Sequence, residues 1–97
     1  MLLSRKKTIL EKDLFIEEYI IKKIELREYK INNINGEGNL HIVIYVNTNY
    51  GEIELDYLGK PTKEREKFDE CYNFICNYNG LLSLLNRAII EIKNDVN

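Results

Sequence analysis

A chain of 97 residues makes one domain, long enough to bury on the order of 60–65% of the surface its unfolded form exposes. Hydrophobic content of 44% with 31% charged residues is ordinary for a globular protein, no long Ser/Gly/Pro tract or like-charge block argues for disorder, and no apolar run approaches the roughly 18 residues that span a bilayer. A net charge of −2 and a pI near 5.5, without a basic stripe, argue against sequence-independent nucleic-acid binding as the main activity, because that rests on many clustered phosphate contacts.

The charge is unevenly spread. Arg5, Lys6 and Lys7 make the amino terminus basic, and residues 11–30 carry six acids and five bases. From Ile31 to Gly59 there is no Lys or Arg, only Glu37, Glu52, Glu54 and Asp56. The opening run, Met1 to Lys7, has its charges after the first apolar residues and no apolar core behind them, so it does not read as a secretory signal. A cytoplasmic location is expected, the host cytoplasm if the gene is viral.

In chain order, Thr8 and Glu11 have the spacing of a capping box, which predicts a helix from near Ile9. Ile9, Leu10, Leu14, Ile16, Tyr19, Ile20 and Ile21 supply its apolar stripe. Residues from about Ile24 to Ile34 favour a strand, with a shift of phase near Arg27 that predicts a bulge there; a strand reaching back to Tyr19 is the competing reading. Asn35-Gly36-Glu37-Gly38-Asn39 is a turn signal. Leu40 to Val46 then reads as a central strand, with Leu40, Ile42, Ile44 and Val46 on one face and His41, Val43 and Tyr45 on the other.

After the turn Asn47 to Gly51, Glu52-Ile53-Glu54-Leu55-Asp56-Tyr57 alternates acid with apolar residues, the period of a half-buried strand. Facing residues share a side of a sheet, so Ile53, Leu55 and Tyr57 should meet Leu40, Ile42 and Ile44, and the acids should meet His41, Val43 and Tyr45. Pro61 predicts a helix start, Thr62 to Tyr78, with Phe68, Cys71, Tyr72 and Ile75 at helical spacing. Asn79-Gly80 should end it, and Leu81, Leu82, Leu84, Leu85, Ala88, Ile89 and Ile92 define a third helix. The expected fold is a single two-layer α+β domain over residues 1–97: a three-stranded antiparallel meander packed on one face by three helices, in the order α-β-β-β-α-α.

Catalytic constellations are missing from this pattern. Ser4 and Ser83 are the only serines, and Ser83 lies among residues expected to pack. Cys71 and Cys76, five apart on a helix, are poorly placed for a disulfide and read as free buried thiols. With the single His41 they do not make a usual zinc set, so no metal and no cofactor are expected. The Gly-rich turn lacks the Lys-Ser/Thr and the following helix of a phosphate loop.

A non-catalytic protein-binding module is the leading expectation. Its acidic row, Glu52, Glu54 and Asp56, together with Tyr45, Tyr50 and His41, should dock a basic protein. His41, if it faces Glu54 or Asp56, would have its charged form favoured. Fourteen Ile, twelve Asn and ten Lys point to an AT-rich genome. With the small size, that fits a phage, virus or mobile-element accessory protein such as an inhibitor of a nucleic-acid-handling enzyme. One alternative is a homo-oligomeric assembly protein, for example a homodimer that buries surplus apolar surface. Another is a weak nucleic-acid binder using Arg5, Lys6, Lys7, Lys22, Lys23 and Arg27.

Overall fold

The computed structural model describes residues 2–31, 39–56 and 60–96. Among these residues five strands precede two helices: β1 (Leu2–Leu10), β2 (Leu14–Ile16), β3 (Tyr19–Lys30), β4 (Leu40–Thr48), β5 (Gly51–Asp56), α1 (Glu66–Cys76) and α2 (Tyr78–Val96). The fold is α+β, as expected, but with an antiparallel sheet of five strands and two helices in place of three and three. Sheet order is β1-β3-β4-β5, and β2 continues β1 along the same edge of β3.

The expected first helix is instead this interrupted edge strand. Thr8 pairs with Glu25 and caps nothing, while Glu11 lies in the gap between β1 and β2. The apolar residues that fit a helical stripe serve an extended chain equally well. Leu14 and Ile16 share one side of β2 and Phe15, 69% exposed, takes the other. The β-branched Ile9, Ile16, Ile20 and Ile21 favour that backbone. Glu17 and Glu18 turn the chain, Glu17 at a positive φ of 56°, so that β3 does reach back to Tyr19.

Nor is there a bulge at Arg27. The pairing of β3 with β4 is continuous from Lys23 to Lys30, and the irregularities fall between Ile21 and Lys23 and, in β1, between Leu3 and Arg5 and between Thr8 and Leu10. The Asn35–Asn39 turn and Tyr57 lie outside the described residues except for Asn39, whose carbonyl accepts from the Ile31 N–H at 2.8 Å. Opposing faces of β4 are as the alternation predicts. Val46 meets Ile53 and Ile44 meets Leu55, the expected sides of the sheet with the register two residues along.

Both helices cover the side of the sheet that carries Ile24, Leu26, Ile42, Ile44 and Leu55, and they close it with Phe68, Cys71, Ile75, Leu84 and Ala88. Thr62 exchanges both backbone hydrogen bonds with Leu40, at 2.8 and 2.9 Å, and thereby prolongs the sheet. Consequently α1 starts four residues after Thr62, and Pro61 introduces the bridge instead of the helix. The break between helices falls at Asn77, not at Asn79-Gly80. Asn77 is extended (φ −87°, ψ 162°), and its Oδ1 accepts from the Gly80 N–H at 2.9 Å, capping α2. Gly80 is buried inside α2 because a Cβ there would overlap the carbonyl of Phe74.

One polar cluster lies inside this apolar layer. Glu28 is fully buried on the helix side of β3 and is met by Arg5 in a two-pronged contact, Nε to Oε1 at 3.0 Å and Nη2 to Oε2 at 2.6 Å. The same guanidinium donates to the Arg65 carbonyl at 2.6 Å, lies 4.5 Å from the Phe68 ring centre and stands 3.7 Å from Asp69. Lys7 repeats the contact one step along, 4.5 Å from the Tyr72 ring centre and 3.8 Å from Asp69.

Two stability outcomes follow. Arg5→Ala leaves Glu28 buried without its partner and should lower unfolding free energy by about 3 kcal/mol in urea denaturation, whereas Arg5→Leu with Glu28→Leu should recover most of that loss. Gly80→Ala should destabilise because of the Phe74 carbonyl, although helix propensity alone would raise stability by about 1 kcal/mol; a gain would contradict the helix corner.

Candidate binding surface

The side of the sheet opposite the helices is built from the alternate residues of three strands. On β3, inward Ile24 and Leu26 turn Lys23, Glu25, Arg27 and Tyr29 outward. On β4 the outward set is His41, Val43, Tyr45 and Asn47, and on β5 it includes Glu52 and Glu54. Register aligns Glu25, Tyr45 and Glu54 in one row across the sheet, and Lys23, Asn47 and Glu52 in the next.

Arg27 organises the centre. Its guanidinium lies 4.0 Å from the Tyr45 ring centre, its Nε is 2.5 Å from Glu25 Oε1, and its Nη1 donates to the Tyr29 hydroxyl at 3.2 Å. The Tyr29 and Tyr45 hydroxyls are 3.4 Å apart. Lys23 reaches the other oxygen of Glu25 at 3.3 Å. A shallow hollow of about 180 Å³ lies over this network, lined by Lys23, Glu25, Arg27, Tyr45, Asn47 and Glu52.

The protonation states follow from these contacts. Burial works to raise the Glu25 carboxyl, but hydrogen bonds and charge from Arg27 and Lys23 outweigh it and hold the group below its ordinary value. The hydrogen bond with Tyr29, and then burial, push the Tyr45 hydroxyl up to about 12. Tyr29 goes the other way, lowered by its hydrogen bonds with Tyr45 and Arg27. The result is a hydrogen-bonded patch in which one carboxylate serves two bases.

Of the residues expected at a partner surface, the fold brings Tyr45, Glu52 and Glu54 together, with Asp56 next along β5, and sets His41 and Tyr50 apart. His41 lies at the far end of β4, opposite Tyr29; Glu54 stands opposite Tyr45 and Asp56 opposite Val43, so the expected facing of His41 with an acid of β5 is not the register formed. Tyr50, 51% exposed, sits in the β4–β5 turn with its ring 5.7 Å from that of Tyr19. That turn is tied to the β2–β3 turn by Asn49, which accepts from the Ile20 N–H and donates to the Glu18 carbonyl. Glu25 and Asn47 were not among the expected site residues, and Lys23 and Arg27 were expected only as nucleic-acid contacts, although the alternation of β3 around Ile24 and Leu26 points Lys23, Glu25 and Arg27 outward.

The basic residues of the amino-terminal half do not form one surface. Arg5 and Lys7 turn toward the helices, while Lys23 and Arg27 turn away and pair with Glu25. Cys71 is buried in the core, where desolvation pushes its thiol up to about 12, and Cys76 is exposed, contrary to the expectation of two buried thiols. The sheet stands between Cys71 and His41. Ser83 is exposed on α2 instead of packed. Among the described residues no group of three or more His, Cys, Asp or Glu is placed to hold a metal ion, and no helix is long and apolar enough to cross a membrane. No protein-family model, no curated protein and no solved structure matches the chain at a significant level.

Because the folded-state value of Glu25 is lowered, its contribution to stability is present above the ordinary value of 4.5 and is lost as pH falls through the lowered one. Urea denaturation followed from about pH 6 down to about pH 2 should show a shallower loss of stability for Glu25→Gln than for the wild type. Equal slopes would contradict the pairing with Arg27 and Lys23.

Proposed function

We propose that this protein is a non-catalytic binding module that presents the β5 side of its helix-free sheet face to a basic surface on another protein. The observation that carries this reading is an imbalance in pairing. Lys23 and Arg27 are both committed to Glu25, whereas Glu52 and Glu54, exposed on the neighbouring strand beside Tyr45, form no ion pair with any described residue. The unpaired charge at the β5 edge is negative, while β3 and Lys6, which stands opposite Arg27, keep the positive charge of the face away from that edge. Tyr45, held by Arg27 and Tyr29, adds contact area that is ordered before binding.

Basic nucleic-acid-handling proteins are the partner class that fits this sign, since a row of carboxylates can occupy a surface shaped for phosphates. An inhibitor of such a protein, carried by a phage, virus or mobile element, is the concrete form of the proposal. Self-association is the second reading. It is favoured by the apolar residues that the helices leave outside, Tyr78 at 78% exposure, Ile90 at 57%, Phe74 and Leu82. Light scattering across a concentration series separates the two.

Capture from a host extract should compare wild type, Glu52→Lys with Glu54→Lys, and Glu91→Lys on the exposed side of α2. Retention of basic proteins is expected to fall about tenfold in the β5 variant and to persist in the α2 variant, with stability changed by less than about 0.5 kcal/mol in each. Identical captures by all three would overturn the reading.

A further inference from the structure

We infer that β5 receives the partner as an added strand: an extended segment in which Lys or Arg alternates with apolar or β-branched residues. This rests on the binding-module reading above and specifies how the partner is held.

The two-residue turn closes on the pair Thr48–Gly51, and the closing pair of such a turn is of the hydrogen-bonded kind. Along an antiparallel ladder, hydrogen-bonded and non-hydrogen-bonded pairs alternate, so Val46–Ile53 and Ile44–Leu55 are bonded pairs while Asn47–Glu52 and Tyr45–Glu54 are not. On an edge strand the residues of the unbonded pairs turn their N–H and C=O away from the sheet. Glu52 and Glu54 therefore offer both the free backbone groups and the carboxylates. Among the described residues β5 pairs with β4 alone.

The sequence of the occupant follows from that coincidence. Residues that pair with Glu52 and Glu54 lie two apart and on the same side of the extended sheet, where opposite charges directly across from one another attract. The residue between them falls on the helix side, next to Ile53 and Leu55, and suits an apolar or β-branched side chain. A second copy of the chain does not meet this description through β5 itself. Two-fold antiparallel pairing keeps the helix layers on one side and sets acid against acid. Nor does β1 of another copy, whose spacing is broken by two irregularities and by the gap before β2.

The test uses the full chain, isotopically labelled, and a short acetylated and amidated peptide in which Lys and Thr alternate. Two control peptides accompany it: one N-methylated at the residues that would bond β5, which keeps the charge, and one with Glu in place of Lys. At low ionic strength the Lys peptide should bind and slow exchange of the Glu52 and Glu54 amides about tenfold, while N-methylation should weaken binding about tenfold and the Glu peptide should not bind. Equal binding of the N-methylated peptide, or binding that leaves those two amides unprotected, would overturn strand addition while leaving the acidic binding surface standing. Failure of every basic peptide to bind would overturn both.

Discussion

The contact on which the rest of this structure depends is the pairing of Arg5 with Glu28. A carboxylate with no exposure to solvent stands in an otherwise apolar layer, and among the described residues the cation that meets both its oxygens comes from the first strand. A buried ion pair adds little net stability, since desolvation offsets most of the attraction. Its consequence is positional. A slip of β1 by one residue would turn Arg5 to the open side and leave Glu28 alone in the core, so a wrong register is heavily penalised. The guanidinium also holds the Arg65 carbonyl and faces Phe68 and Asp69, which brings the start of α1 to the same side. One side chain thus selects the pairing of β1 and the face that the helices cover.

The opposite face inherits its character from that choice. Once Ile24, Leu26 and Glu28 point to the helices, Lys23, Glu25, Arg27 and Tyr29 must point away. The same economy of charge operates there: Glu25 satisfies two bases at once, and Arg27 stacks on Tyr45. Pairing the outward bases of β3 in this way leaves Glu52 and Glu54 of β5 without an ion-pair partner among the described residues. β3 therefore carries the buried pair on one side and the network around Glu25 and Arg27 on the other.

The second half of the chain was more legible in its sequence than the first. The nearly continuous apolar run Leu40–Val46 marked a central strand, covered on both edges, and the strict alternation in residues 52–55 marked a strand with one face buried and the other exposed. Helical spacing of Phe68, Cys71 and Ile75 was equally direct. The first thirty residues misled for two identifiable reasons. A stripe of Ile and Leu spread over Ile9–Ile21 satisfies both periods, and nothing local to Thr8 and Glu11 reveals that a strand twenty residues on will claim them. The inward acid at Glu28 then imitated a phase shift, since its partner Arg5 is remote in sequence. Residues of the candidate surface divided along the same line: Tyr45, Glu52 and Glu54 are readable from period two, whereas the network around Arg27 needed the pairing of β3 with β4.

The central claim is that β5 is an open edge whose outward backbone groups include those of Glu52 and Glu54. Amide hydrogen exchange of the free protein, residue by residue along β5, tests this most directly. Slow exchange at Ile53 and Leu55 with fast exchange at Glu52 and Glu54 is expected, since only the first pair bonds β4. Uniform protection along the strand would show that the edge is already occupied and would contradict it.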